Sequence, residues 1–244
     1  MPAPSTLQSV YCTDEDILVR CNADFAVLAP AWQLLAAGSD GVLVPTGSTS
    51  PAGPWTLQSA SVDFAANGVN AAVGTSVFTN VVQLTGPAPF KGATGQLFAI
   101  DSVNGNEITL RRPNQPLYQG QPPSGSTQLA GVTFAVKTVY PQIDNACYTI
   151  NEKFGVLDEG SPFSIFWKQP GYMTDVRELR ELATLLTLCR LYASEVRVDR
   201  GDFALKLKEF QRDYADCEQR TIIRWGPFGQ GRPASTKFSM NMMR

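Results

Sequence analysis

The chain has 244 residues, of which 43% are hydrophobic and 17% are charged, and its formal net charge at pH 7 is −2. This length fits one large domain or two small ones, and the apolar share is typical of a protein that buries a core, which excludes a disordered or fibrous chain. The sequence contains no histidine, the commonest general base and the commonest metal ligand, which argues against triad hydrolases and metalloenzymes.

Cysteine usage and hydropathy argue against further classes of protein. The five cysteines are an odd number and include no CxxC pair, so the sequence predicts neither a disulfide framework nor a thiolate metal site. No segment approaches the roughly 18 apolar residues of a membrane span, and the N-terminal MPAPSTLQSV lacks the basic and then apolar pattern of a signal peptide. We therefore expect synthesis and folding in a cytoplasm, with no membrane partner, no cofactor, no metal and no catalytic residues.

The N-terminal part of the sequence predicts short helical segments. Thr13 is expected to cap a helix, with Asp16 in the position of a capping box. The acidic run Asp14–Asp16 lacks the ligand spacing and the glycine of a calcium loop, so we interpret it as first-turn capping. The apolar stretch Phe25–Ala37 predicts one kinked helix or two short ones, interrupted at Pro30.

A charge-poor segment, Gly41–Tyr140, predicts a small antiparallel β domain. It contains four basic and three acidic residues, and its short alternating runs are separated by turns, as in antiparallel sheets. The strongest signal is Gln96–Arg111, in which Asn104-Gly105 supplies the positive φ angles of a two-residue hairpin turn. Further strands are predicted at Trp55–Phe64, Val77–Leu84 and Val132–Val139, and a surface loop is predicted at Pro113–Ser126.

Three helices are predicted after the β domain. Pro141 opens the first of them, which ends at Gly155. The second begins with Thr174 as its N-cap and carries apolar residues at helical spacing. The turn Asp199–Asp202 separates it from the last helix, for which Asp202 is the expected N-cap.

The first helix of this final pair has a wide apolar face. A second apolar row, formed by Leu185, Leu188 and Tyr192, lies beside its main stripe. A helix of this kind is expected to pack against neighbours on two sides, and a hairpin of two helices covers only one of them. Cys189 and Cys217 lie on the apolar stripes and are expected to be small buried thiols.

These elements predict an α+β fold in three parts: an antiparallel helical bundle of residues 1–40 and 141–225, an inserted small antiparallel β domain of residues 41–140, and an extended C-terminal arm of residues 226–244. From Arg220 onward there are five basic residues and no acidic ones, whereas residues 1–219 carry 15 − 22 = −7. A basic tail on an acidic body is typical of an arm that binds an acidic surface.

The order of these elements resembles the head–tail connector proteins of tailed bacteriophages, also called adaptor or head-completion proteins. The resemblance lies in the short N-terminal helix after VYCTDEDI, the helix PQIDNACYTINEKFG, the long leucine-rich helix, the turn, and the last helix with its basic extension. It covers Val10–Cys21 and Pro141–Arg220 and rests on helix order and pattern, without an invariant motif. The large β insertion departs from the smallest members of the family.

The resemblance implies a ring of about twelve copies in the virion neck, between the portal protein and the tail or neck proteins below it. DNA would pass through the ring without sequence-specific binding, because the acidic body disfavours tight phosphate contact. The row Leu185, Leu188 and Tyr192 would pack against the next copy, and the C-terminal segment would bind portal through apolar anchors and basic groups. The residues of this portal-binding arm are Ile222, Ile223, Arg224, Trp225, Phe228, Arg232, Lys237, Phe238, Met240, Met242, Met243 and Arg244.

Two other interpretations stay open at the level of sequence. In one, the chain is a different virion component, such as a tail-tube or baseplate protein, with the β domain at its centre. In the other, it is a carbohydrate-binding or nucleic-acid-binding module in which Trp55, Arg111 and Arg112 of the β domain contact a ligand. An enzyme is the least favoured class, because no serine lies in a nucleophile elbow.

Overall fold

A computed structural model describes residues 10–45, 55–70, 79–86, 96–111, 128–156, 177–196 and 201–223 of the chain. The chain forms two compact units. Residues 13–140 are the barrel unit, and residues 1–12 together with 141–244 are the helical unit.

The described residues of the barrel unit form six strands: β1 at Gln33–Pro45, β2 at Trp55–Gln58, β3 at Val81–Gly86, β4 at Gln96–Asn104, β5 at Glu107–Arg111 and β6 at Leu129–Thr138. They form a closed barrel in the order β1, β2, β5, β4, β3, β6. All of the pairings are antiparallel, including the one in which β6 returns to β1. Closure gives each of these strands a partner on both sides, so the described sheet has no unpaired edge.

Alternation along the strands fills the barrel with apolar side chains. In β5, Ile108 and Leu110 are fully buried, and the residues beside them are partly exposed. In β4, Phe98 and Ile100 belong to the interior cluster, so Ala99 between them points out of the wall. Full burial of such side chains stabilises the fold by roughly 1.5–3 kcal/mol each. The interior cluster also contains Leu43, Trp55, Leu57, Phe64, Val82, Leu84, Val132, Phe134 and Val136.

Strand β1 bends to close the barrel. It has 13 residues and pairs with both β2 and β6. Its register with β6 shifts three times, and two of the shifts lie between Gly38 and Val42. Bulges of this kind bend a strand and increase its twist, which allows it to follow a curved wall. The wall is tight here, because a Cβ on Gly41 would lie 2.6 Å from the Val132 carbonyl oxygen and 2.9 Å from Leu57.

The carboxylate of Asp40, in the same bulged region, fixes the segment that follows β2. It accepts hydrogen bonds from the Ser59 hydroxyl at 3.0 Å and from the backbone N–H groups of Ala60 and Ser61 at 2.9 Å. Desolvation alone would raise the pKa of Asp40, but the hydrogen bonds from Ser61 and Ser59 outweigh it, so the pKa lies below its ordinary value.

The hairpin predicted between β4 and β5 is present, but its turn is displaced by one residue. Asn104 pairs with Glu107, so the two loop residues are Gly105 and Asn106. Gly105 has a φ of +58°, a conformation that glycine adopts without strain.

The other predicted strands are present with different bounds. The strands predicted at residues 77–84 and 132–139 overlap β3 and β6, whereas the one predicted at residues 55–64 ends at Gln58. Residues 77–78 and the predicted loop at residues 113–126 lie outside the described residues.

Two short helices precede the strands: α1 at Asp14–Cys21 and α2 at Phe25–Leu28. The capping box predicted at Thr13 is confirmed, because its hydroxyl accepts the Asp16 N–H and its own N–H donates to the Asp16 carboxylate. This box satisfies two N–H groups that the first turn of a helix leaves without partners.

The helix predicted for Phe25–Ala37 is wrong in its second half. A 3-10 turn ends at Ala31, Trp32 is extended, and Gln33 begins β1. Short apolar runs suit a strand and a buried helix equally well, so periodicity does not separate them. Gln33 lies in a strand because it pairs with Thr138 of β6, a partner that is remote in sequence.

Within the part of the helical unit that the structure describes there are three helices: α3 at Tyr140–Phe154, α4 at Arg177–Glu195 and α5 at Asp202–Arg220. The helix predicted from Pro141 is confirmed, and Gly155, with a φ of +65°, follows its end. Thr174 lies outside the described residues. Asp202 is the first residue of α5 and not its N-cap, which is Gly201.

The predicted fold class, an antiparallel helical bundle with a small inserted β domain, is wrong. A closed six-stranded barrel organises residues 13–140, and α1 and α2 belong to that unit instead of joining the later helices. Barrel closure depends on pairings such as β1 with β6, which local patterns do not reveal. The predicted arm, residues 226–244, lies outside the described residues.

Gly41→Ala is expected to lower the free energy of unfolding by about 1–3 kcal/mol, because the added methyl group meets backbone and core atoms that have no room to move. Gly86→Ala is the matched control, since a Cβ there meets nothing within 4 Å; its effect should stay within about 0.5 kcal/mol. Urea denaturation measures both variants. Equal stabilities would contradict the close packing at Gly41.

Asp40→Asn should weaken the fold at neutral pH and have little effect in acid. Because the folded-state pKa lies below the ordinary value of 3.8, the stabilisation by the carboxylate is present above that value and is lost as the pH falls through the folded pKa. Thermal unfolding of the wild type and the variant across this range tests the expectation. A difference that does not change with pH would show that the charge of Asp40 is not needed.

Candidate interaction site at the end of the helical unit

Helices α4 and α5 pack against each other through aromatic side chains. The ring centroid of Tyr192 in α4 lies 5.1 Å from that of Phe210 and 5.6 Å from that of Phe203. The interplanar angles are 53° and 36°, tilted arrangements that add to the stabilisation from burial. The predicted pair of helices is therefore present, and Tyr192 links them.

The apolar row that was expected to face a neighbouring copy is buried within the single chain. Leu185, Leu188 and Tyr192 are 2%, 0% and 1% exposed. Their atoms are already shielded from water, so this row has little surface left for a second copy. The prediction treated the two helices as standing alone, and the sequence did not show that the chain itself covers this side of α4.

Polar side chains attach α3 to both long helices. Lys153 forms an ion pair with Glu218 of α5, and its ammonium group lies 6.0 Å from the ring centroid of Tyr214. Arg190 of α4 donates a hydrogen bond to the Thr149 hydroxyl at 2.8 Å. The ion pair is partly exposed and contributes little stability alone, but the three contacts together fix α3 along the helix pair.

The chain leaves α5 abruptly at Thr221. This C-cap residue is extended, with φ −69° and ψ 123°. Its N–H and its hydroxyl both donate to the Cys217 carbonyl oxygen, at 2.9 and 2.8 Å. These bonds satisfy a carbonyl group that the helix end leaves without an internal partner. The following residue, Ile222, is 55% exposed, so the chain emerges at the surface of the unit.

The predicted portal-binding arm begins at this point. Ile222 is exposed and Ile223 is partly exposed, whereas the remaining predicted arm residues lie within 224–244, outside the described residues. The sequence from residue 224 onward contains four basic residues and no acidic ones. A basic segment with apolar side chains thus continues directly from the surface-exposed end of α5.

The outer face of α5 has mixed charge. Leu205 is 60% exposed, and exposed charged residues surround it at helical spacing, among them Lys208, Glu209 and Arg212. A single exposed leucine among charges of both signs is ordinary for a solvated helix face. This face therefore does not mark a docking surface.

Comparisons with protein-family models, with curated proteins and with solved structures gave no match to this chain.

The barrel residues suggested as ligand contacts are engaged within the fold. Trp55 is 3% exposed and belongs to the interior cluster. The Arg111 guanidinium is bound by both oxygens of Glu15, and its Nε lies 3.5 Å from Asp101. Arg112 lies outside the described residues. The hypothesis of a ligand site on the barrel therefore loses Trp55 and Arg111.

Two acidic residues of α1 have partners that sequence reasoning missed. Asp16 caps the helix as predicted, but Glu15 binds Arg111, and Asp14 accepts hydrogen bonds from Asn80 and from the Val139 N–H. These partners are 96, 66 and 125 residues away. No local pattern identifies them, because an acidic residue in a first turn is fully explained by capping and by the helix dipole.

No disulfide joins any of the five cysteines, all of which lie within the described residues. Cys217 is buried as predicted, whereas Cys189 is only partly buried. Burial raises the pKa of Cys189 and Cys147 to about 11 and that of Cys21 to about 12, so these thiols stay protonated at neutral pH.

Within the described residues, no group of three or more His, Cys, Asp or Glu side chains is placed to hold a metal ion. Among the helices that the structure describes, none is both long and apolar enough to cross a membrane.

Tyr192→Ala is expected to lower the free energy of unfolding by about 3–5 kcal/mol, because it leaves a cavity between α4 and α5. Leu205→Ala is the control on the exposed side of α5, and its effect should be within about 0.5 kcal/mol. Guanidinium denaturation monitored by circular dichroism at 222 nm measures both. If Tyr192→Ala left stability unchanged but altered self-association, this residue would face another copy instead of α5.

Proposed function

We propose that the chain is a structural protein of a bacteriophage neck, in which copies form a ring that joins the portal to the tail and continues the DNA channel. The observation that carries this proposal is the end of α5. A packed helix pair stops at Thr221, Ile222 after it is exposed, and the sequence from residue 224 onward combines basic residues with apolar ones. A segment of this composition can bind a partner with its apolar side chains in grooves and its cations on an acidic surface.

The order of helices in the helical unit supports the same proposal. A helix of moderate length, a long leucine-rich helix, a turn and a final helix follow one another in α3, α4 and α5, which is the order on which the resemblance to connector proteins rests. The leucine face of α4 packs within the chain, so contacts around the ring must use other surfaces.

The charge distribution supports passage of DNA rather than its capture. The body preceding Arg220 carries −7 and the tail from Arg220 onward carries +5. Tight DNA binding depends on many cations placed against phosphates, and the body has a net excess of carboxylates. A ring of this composition would let DNA slide through its channel.

The rival hypotheses receive less support. A partner cannot join the described sheet by strand addition, because the barrel is closed; a tail-tube or baseplate role would need contacts through loops or outward side chains. A carbohydrate or nucleic-acid module would need residues other than Trp55, which is buried, and Arg111, which is bound to Glu15.

Deletion of Gly226–Arg244 tests the proposal. The truncated chain should keep the helical circular dichroism of the full chain and lose association with the portal protein of the same virus, because the arm is the proposed contact. Co-purification and size-exclusion chromatography measure the association. Undiminished binding of the truncated chain to portal would overturn the arm assignment.

A second pair of variants separates the two kinds of arm contact. Trp225→Ala with Phe228→Ala should weaken portal binding at every salt concentration, whereas Arg232→Gln with Lys237→Gln should weaken it mainly at low salt, since screening already reduces ionic contacts at high salt. Lys208→Ala on the outer face of α5 is the control and should bind like the full chain. Electron microscopy of the full chain with portal should show a ring with rotational symmetry near twelve; a lone copy per portal would count against the proposal.

A further inference from the structure

The sequence contains two Asn-Gly pairs, Asn67-Gly68 and Asn104-Gly105, and both lie in the barrel unit. The side chains of Asn67 and Asn104 are exposed. When glycine follows asparagine, the glycine peptide nitrogen can attack the asparagine side-chain amide, because glycine has no Cβ to hinder the approach. The two pairs differ in how the structure holds the atoms that would react.

The reacting groups of Asn67-Gly68 are both hydrogen-bonded. The Asn67 amide nitrogen donates to the Asp63 carbonyl oxygen at 2.7 Å, which turns this side chain back over the preceding residues. The Gly68 N–H donates to the Ala65 carbonyl oxygen at 3.1 Å. Attack of the Gly68 nitrogen on the Asn67 side chain therefore requires both of these bonds to break first.

The reacting groups of Asn104-Gly105 lie at the tip of the hairpin between β4 and β5. Asn104 is the last residue of β4, and its pairing with Glu107 leaves Gly105 and Asn106 as the loop. Within the part of the chain that the structure describes, no hydrogen bond engages the Gly105 N–H or the Asn104 side-chain amide. A Cβ on Gly105 would meet nothing within 4 Å, so these groups have room to move.

We propose that Asn104 is a site of spontaneous deamidation, and that the hydrogen bonds at Asn67-Gly68 protect Asn67 from the same reaction. The Gly105 peptide nitrogen loses its proton and attacks Cγ of Asn104. The Cγ–Nδ2 bond then breaks, and the nitrogen leaves as ammonia with that proton. Water opens the resulting cyclic imide at either of its two carbonyl carbons.

The products at position 104 are an aspartate with the original backbone and an isoaspartate, in which the main chain runs through Cβ and Cγ. The reaction consumes water and releases ammonia, and it needs no other reactant. This inference does not depend on the proposed role in a phage neck.

Both products place a negative charge opposite an acidic residue. Position 104 pairs with Glu107 across the hairpin, and like charges directly opposite each other destabilise a sheet. The Glu107 carboxylate accepts a hydrogen bond from the Gln58 side chain at 2.7 Å, so it is held at this end of β5. Deamidation therefore adds repulsion at the tip of the hairpin.

The isoaspartate also disturbs the segment that follows β2. The Gly105 carbonyl oxygen accepts the N–H groups of Phe64 and Ala65, at 2.8 and 3.3 Å. Phe64 is fully buried in the interior cluster, with its ring centroid 5.5 Å from that of Phe134. An extra backbone atom at position 104 moves the Gly105 carbonyl group, so the bonds that position Phe64 weaken.

Peptide mapping by mass spectrometry measures the reaction at each position. The full chain is incubated in mildly alkaline buffer, once folded and once in denaturant, and fragmentation locates the deamidated residue. In the folded chain Asn104 should react at least about tenfold faster than Asn67, because two hydrogen bonds must break at Asn67-Gly68. In denaturant the two positions should react at similar rates, since glycine follows both.

Two results of this experiment would overturn the proposal. One is a folded chain in which Asn67 reacts as fast as Asn104 or faster. The other is an Asn104 that reacts in denaturant but stays intact in the folded chain.

Asn104→Gln and Asn67→Gln form a matched pair of variants. Each replaces an exposed amide with a longer one that closes the corresponding ring far more slowly, so both should fold. During storage, the unmodified chain and Asn67→Gln should accumulate an acidic species on isoelectric focusing, and Asn104→Gln should not. Accumulation at the original rate in Asn104→Gln would place the reaction at another residue and overturn the assignment.

Urea denaturation of stored protein tests the effect on the barrel. Chain converted at Asn104 should unfold at a lower urea concentration than fresh chain, whereas stored Asn104→Gln should keep its midpoint. Asn104→Asp gives the effect of the added charge alone, so a further loss in the converted chain reports the isoaspartate backbone. An unchanged midpoint in the converted chain would overturn the proposed link between position 104 and Phe64.

Discussion

The barrel unit depends on one pairing, that of β1 with β6. A sheet of six antiparallel strands closes only if its first and last strands meet, and β1 achieves this by bending at the bulges near Gly38 and Gly41. Phe134 and Val132 of β6 lie against these glycines from the other strand. The bend in β1 and the packing of these side chains therefore depend on each other. Closure also leaves the described strands without an edge for aggregation.

The first turn of α1 shows how one short acidic run can serve three purposes. Asp16 caps the helix, Glu15 pairs with the Arg111 guanidinium, and Asp14 is buried and hydrogen-bonded to Asn80 and Val139. Each carboxyl meets a different environment: Asp16 is partly buried, Glu15 is paired with a cation, and Asp14 is fully buried among neutral donors.

Packing within the helical unit determines which surfaces remain for contacts between copies of the chain. The wide apolar face of α4 is satisfied by the chain itself, with Tyr192 between Phe203 and Phe210. Side-by-side assembly would therefore rely on surfaces outside this face. The sharp end of α5 at Thr221 gives the basic C-terminal segment a defined starting point, and this is the feature on which the proposed neck role rests.

Sequence alone determined the elements that are specified by residues close together in the chain. The Thr13 capping box, the helix from Pro141 to Gly155 and the two long helices follow from caps and 3.6-residue periodicity, because those interactions join residues within a few positions of one another. The hairpin after β4 was also predicted, although its loop is shifted to Gly105-Asn106.

Tertiary structure decided what depends on remote partners. Gln33 is in a strand because Thr138 pairs with it, the barrel is closed because β6 reaches β1, and Leu185 and Leu188 are buried because the chain covers them. The same holds for Asp14, whose partners lie 66 and 125 residues away. Sequence periodicity indicates which face of an element is apolar, but it does not indicate which other element packs against that face. The fold class and the environment of the candidate residues depend on that packing.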